Sequence, residues 1–158
     1  AQSLEDKLSV RLDNTNTGYM PAKSTTIRTS TVADNRGADL NEAFFFRPQL
    51  SPDHPDVKAG RRFRGLNQWP EALPGFRETC LGYAADMLGL GTRMLRVLEG
   101  VLELPAGWFD GPFRDPQWVT RFSHYFSTEV GDGAFGLSPV RSGQTGYGTA
   151  GTHARPTG

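Results

Sequence analysis

The hydrophobic pattern divides the chain into a few short elements and one long one. Leu4, Leu8 and Leu12, with charges between them, form one stripe of a short helix, read as the end of a helix that starts upstream. From Asp13 to Asp39 the residues are polar and rich in Thr, Asn and Ser, a loop with one short strand that covers or lines a site. Ala43-Phe44-Phe45-Phe46, bounded by Pro48, reads as a strand facing a core. The proline-rich stretch from Ser51 to Phe76 defeats both helix and ladder, and is expected to run extended over the surface. From Gly75 to Leu104, Phe76, Cys80, Ala84, Met87, Leu88, Met94, Leu95, Leu98, Val101 and Leu102 step by three and four, which predicts an amphipathic helix ended by Pro105. Gly89 and Gly91 near its middle mark a bend or a close approach to another backbone. A second short helix is expected over Gly107–Phe113. Then Val119–Phe126 alternates as a strand, with Trp118, Thr120, Phe122, His124 and Phe126 on one face and Val119, Arg121, Ser123 and Tyr125 on the other. No partner sheet for this strand is visible in the pattern.

Arg141 to Gly158 holds one large apolar side chain, Tyr147, and no Asp or Glu, so residues 140–158 are expected to be a disordered tail after an ordered region over 1–139. A few short segments cannot cover the apolar stripe of so long a helix, so the chain reads as a fragment whose core is completed elsewhere. Self-association through the exposed stripe is a further expectation.

Charge and cysteine usage narrow the function classes. Seventeen Lys+Arg balance seventeen Asp+Glu among 158 residues, which gives no electrostatic reason to expect nucleic acid or an anionic membrane as partner. The single cysteine, Cys80, excludes a disulfide scaffold, and no Cys/His cluster has zinc spacing. No apolar stretch is long enough for a membrane span, and the first ten residues carry no leader pattern, so a cytoplasmic setting is expected.

Three stretches, in order, resemble the isopenicillin N synthase type of non-haem iron oxygenase. They are TGYMPA at Thr17–Ala22, FFFRPQLSPDHPDVKAGRRFRGLNQWPEALPGFR at Phe44–Arg77, and LRVLEGVLELPAGWFD at Leu95–Asp110 leading into VTRFSHYF at Val119–Phe126. The middle stretch is the specific one. The resemblance implies an α+β fold: part of a double-stranded β-helix, or jelly-roll, with its long backing helix and an N-terminal lid, most of the jelly-roll being absent. It implies Fe(II) held by an H-x-D motif and a later His, with 2-oxoglutarate and O₂ in the open positions and a small organic substrate alongside.

The sequence departs from that pattern at the metal. After GAFGLSP, Val140-Arg141-Ser142 stand where H-x-D is expected, so no catalytic or metal-ligating residue is assigned and tight cofactor binding is not expected. The resemblance assigns Tyr125, with Arg121 and Ser123 on its face, to the co-substrate carboxylate. Read alone, Tyr125 is equally a half-buried strand tyrosine and Arg121 a solvent-facing residue. Tyr19 resembles the lid tyrosine beside the substrate pocket. Asn16 stands where the tripeptide-using synthase has an arginine, which favours a 2-oxoglutarate-using relative with another substrate. His124, on the opposite face from Tyr125, reads as a packed, hydrogen-bonded histidine, His54 as part of a solvated turn, and His153 as a tail residue. A different class stays open: a catalytically inactive scaffold or interaction module that docks a partner on the apolar helix face.

Overall fold

The computed structural model describes residues 2–24 and 39–126. The expectations for the tail, for Val140-Arg141-Ser142, for His153 and for most of the polar loop lie outside them. The described residues divide into two compact units, one holding residues up to Pro70 together with those from Val119, the other Glu71–Trp118.

The first unit is built on a three-stranded antiparallel sheet of β1 (Gly18–Met20), β2 (Asn41–Phe46) and β3 (Thr120–Tyr125), in that spatial order. The partner sheet that the pattern did not reveal is therefore made from Gly18–Met20 and the aromatic run. Tyr19 stands opposite Phe44, and Phe44 opposite Phe122, which puts Tyr19, Glu42, Phe44, Phe46, Phe122 and His124 on one face. Phe46 is fully buried there, with ring centroids of Trp69 and Phe122 at 5.5 and 5.6 Å. On the other face Met20, Ala43 and Phe45 are buried and pack with Leu12 and Val119. β2 is thus apolar on successive residues because both of its faces are covered.

Gly18 is required where it stands. Its φ is 109°, and a Cβ would overlap the Val10 carbonyl oxygen. That close approach lets residues 10–12 run beside β1, with Tyr19 N–H donating to Val10 O at 2.7 Å and Leu12 N–H to Tyr19 O at 2.8 Å.

The helix α1 (Leu4–Leu8) is shorter than the stripe suggested, and it is not the end of a longer helix. Ser3 caps it, its side chain accepting from Asp6 N–H at 3.1 Å. The proline-rich stretch also departs from an extended connector. It folds into α2 (Pro55–Lys58), with His54 capping and Pro55 at the first turn, and Asp56 gathers Arg64 at 2.8 Å and Arg61 at 3.1 Å. Its polar side chains then act as rungs to other segments. Asn67 bonds both backbone groups of Arg47, and Gln68 Nε2 donates to Arg11 O and Thr17 O, both at 2.9 Å. Hydrogen bonding by Asn and Gln leaves no hydrophobic period, so the pattern missed this docking.

In the second unit, α3 (Phe76–Val101) runs 26 residues, within the predicted span. A Cβ at Gly91 would meet nothing within 4 Å, and one at Gly89 only the Arg93 side chain, so neither glycine admits another backbone among the described residues. Tyr83, Met87, Leu90, Met94, Val97 and Val101 are exposed, whereas Cys80, Ala84 and Glu99 are buried. Residues 107–113 form successive turns, not the expected helix. The reason is Glu99, whose carboxylate takes the Gly107 and Phe109 N–H groups at 3.1 Å each while Gly107 adopts φ 83°. Arg96 bridges Glu99, at 2.9 Å, and Asp110. No helix among the described residues is long and apolar enough to cross a membrane.

Candidate functional site

Alternation along β3 sets where the expected site residues fall. Arg121, Ser123 and Tyr125 share one sheet face, opposite Phe45, Ala43 and Asn41 of β2. Arg121 is partly buried, its guanidinium 5.3 Å from the Phe45 ring centroid and Nη2 donating to Asn41 Oδ1 at 2.8 Å. Ser123 is exposed, and Tyr125 is 48% exposed at the strand's end. A guanidinium, a hydroxyl and a phenol in a row form a donor set for a carboxylate.

Tyr19 is not brought to that face. It lies on the opposite one, 7% exposed, and donates its hydroxyl to Glu42 at 2.6 Å. Lys7 Nζ, at 2.9 Å, and His124 Nδ1, at 3.1 Å, converge on the same carboxylate. Burial, then the hydrogen bond and charge of Glu42, push the Tyr19 phenol far above its ordinary value of 10.0. Burial would also raise Glu42, but hydrogen bonds from Tyr19, Lys7 and His124 outweigh it and hold the carboxyl below its usual range. The Tyr19 proton is therefore committed to Glu42. His124 has the hydrogen bond expected of it and packs edge-on against the Phe126 ring at 4.9 Å, but its side chain is 66% exposed and so not buried.

Asn16 turns the chain ahead of β1 with φ 62°, and its carbonyl accepts a 3.4 Å bond from Arg47 Nε. It joins neither the β3 donor set nor the Tyr19 cluster. Sequence reasoning missed Glu42 and Arg47. Glu42 could have been found from its place two residues before Phe44 and four before Phe46, on the aromatic face.

The described residues do not fit an iron site of the triad type. Among them no three His, Cys, Asp or Glu side chains cluster. His124 stands beside one carboxylate that Lys7 and Tyr19 already occupy, and His54 lies by Asp56, which Arg61 and Arg64 hold.

No family model matches the chain. Among curated proteins, the validamycin A dioxygenase of Streptomyces hygroscopicus subsp. limoneus is 33% identical over 126 residues, which cover 77% of this chain and 33% of that protein. The isopenicillin N synthase of Streptomyces clavuligerus is 38% identical over 90 residues, covering 55% and 27%. A solved 2OG-Fe(II) oxygenase family protein of Caulobacter crescentus superimposes with a TM-score of 0.64 at 23% identity, over 79% of this chain and 38% of that one, and so shares its fold. The chain spans about a third of the length of the curated relatives it matches. Its N-terminal and central resemblance is thus to isopenicillin N synthase and other iron and 2-oxoglutarate dioxygenases, with 2OG-Fe(II) oxygenases as its structural neighbours.

Proposed function

We propose that residues 1–139 are the N-terminal and central part of an Fe(II)/2-oxoglutarate-dependent oxygenase that oxidises an unactivated C–H bond of a small organic substrate in the cytoplasm. The observation that carries this reading is the placement of Arg121, Ser123 and Tyr125 on one face of β3, in a chain whose relatives include a dioxygenase and an isopenicillin N synthase. In this reading Tyr125 and Ser123 donate to the co-substrate carboxylate while Arg121, oriented by Asn41, supplies the charge. Tyr19, buried on the opposite face and bonded to Glu42, supports the lid from behind the sheet, and Asn16 replaces a charged substrate contact with a neutral one. The iron ligands belong to sequence other than the described residues. With Val140, Arg141 and Ser142 at the expected motif, the chain as it stands does not turn over. Residues 140–158 are a tail outside the oxygenase region.

Sequencing the transcript tests this. A frame that follows Pro139 with H-x-D, alternating strands and a second His is expected. In the polypeptide that frame encodes, Tyr125→Phe should weaken 2-oxoglutarate binding ten- to hundredfold, the loss of about 1.5–3 kcal/mol from one hydrogen bond to a charged group. If no frame encodes the motif, the oxygenase reading fails. The exposed stripe Tyr83, Met87, Leu90, Met94, Val97 and Val101 then favours the second reading, a non-catalytic module that docks through α3.

A further inference from the structure

Arg47, immediately after β2, is a buried cation without a counter-charge among the described residues. It is 7% exposed, and its Nη2 atom is enclosed with no hydrogen-bond partner among the described residues. Nε has only the 3.4 Å contact to Asn16 O, and no ion pair to Arg47 is formed among the described residues. Burial alone lowers the affinity of the guanidinium for its proton. An enclosed guanidinium in that state is costly unless an anion completes it.

A second cation lies against the same ring. The Arg47 guanidinium carbon lies 4.7 Å from the Phe63 ring centroid and that of Arg62 lies 4.5 Å from it, and Arg62 too has no ion pair among the described residues. Phe63 itself sits at φ 64°, a left-handed conformation unusual for an aromatic residue. The Arg47 backbone is fixed at both N–H and C=O by Asn67. A left-handed backbone at Phe63, a clamped strand end and two guanidinium groups without an ion pair among the described residues are the parts of a preformed anion site.

We propose that Arg47 and Arg62, both over the ring of Phe63, bind a carboxylate. The fork of Arg47 takes the carboxylate through Nη2, and Arg62 adds charge from the exposed side. Identifying that carboxylate as the organic substrate's rests on the oxygenase reading above; the site itself does not.

The test uses the full chain, labelled with ¹⁵N and titrated with sodium acetate, with sodium 2-oxoglutarate, and with sodium chloride at matched ionic strength. Arginine Nε–Hε signals are followed, that of Arg47 being assigned from its loss in Arg47→Lys. A saturable shift of the Arg47 signal with a carboxylate, and none with chloride, is expected. Arg62→Gln, at an exposed position, should weaken it several-fold with the backbone spectrum unchanged. Acetate binding at least as well as 2-oxoglutarate identifies a site for a substrate's single carboxylate; a tenfold preference for 2-oxoglutarate identifies a co-substrate site. An unsaturable drift equal to that in chloride, or an Arg47 signal that ignores every salt in a folded chain, overturns the proposal. The measurement needs no iron and no turnover, so its outcome is separate from that of the transcript test.

Discussion

Asn67 forms a closed pair with the backbone of Arg47, Oδ1 accepting from its N–H at 2.8 Å and Nδ2 donating to its C=O at 2.9 Å. The side-chain amide thereby does for the end of β2 what another strand would do, satisfying two backbone groups with one residue. Asn67→Ala should strand both groups and lower unfolding free energy by about 1–3 kcal/mol for each group left dry. Asn67→Asp keeps the acceptor and loses the donor, so it should fall between the two in urea melts.

The Glu42 cluster makes stability depend on pH with a definite sign. A carboxyl held below its ordinary 4.5 in the folded state contributes stability that is present above that value and is lost as pH falls through the lower, folded one. Urea midpoints should therefore drop on acidification below about pH 4.5, and Glu42→Gln should reduce the part of that drop due to this cluster. Tyr19→Phe removes one bond to the carboxylate, and should cost about 1.5–3 kcal/mol at neutral pH.

Glu99 should control the turns at 107–113 without controlling the sheet. Glu99→Gln leaves one oxygen where two backbone N–H groups and Arg96 now bond a carboxylate. Amide exchange at Gly107 and Phe109 should accelerate while Tyr19 and Leu12 keep their protection. Equal acceleration everywhere would mean that Glu99 supports the whole fold and not this one connection.

The two faces of the sheet should respond unequally. Phe46→Ala empties a fully buried site and should cost about 3–5 kcal/mol. Tyr125→Phe, at a half-exposed hydroxyl, should change stability by less than about 0.5 kcal/mol. Thermal melts of the two variants side by side check the assignment.

What the sequence disclosed and what it hid follow a physical line. Elements whose signal is hydrophobic period were legible: α3 from its three-and-four steps, β2 from its aromatic run, and the division of β3 into two faces. Contacts made by polar side chains were not, because a hydrogen-bonded Asn or Glu has no period. Asn67, Gln68, Glu42 and Glu99 hold the segments in register, and each looks like an ordinary surface residue in the string. The same blindness explains the expected helix at 107–113, whose local pattern could not show that Glu99 would claim its amides. Tyr19 and Tyr125 were both singled out, but only strand pairing could reveal that they stand on opposite faces.

The two borders of the sheet are not equivalent. Beyond β1, the backbone of Tyr19 is already engaged by Val10 and Leu12, and Gly18 allows no side chain to wedge that seam open. Beyond β3, no further strand is paired among the described residues. Among the described residues, the margin that carries Arg121, Ser123 and Tyr125 is therefore the open template for an additional strand, while the β1 margin is already engaged by residues 10–12.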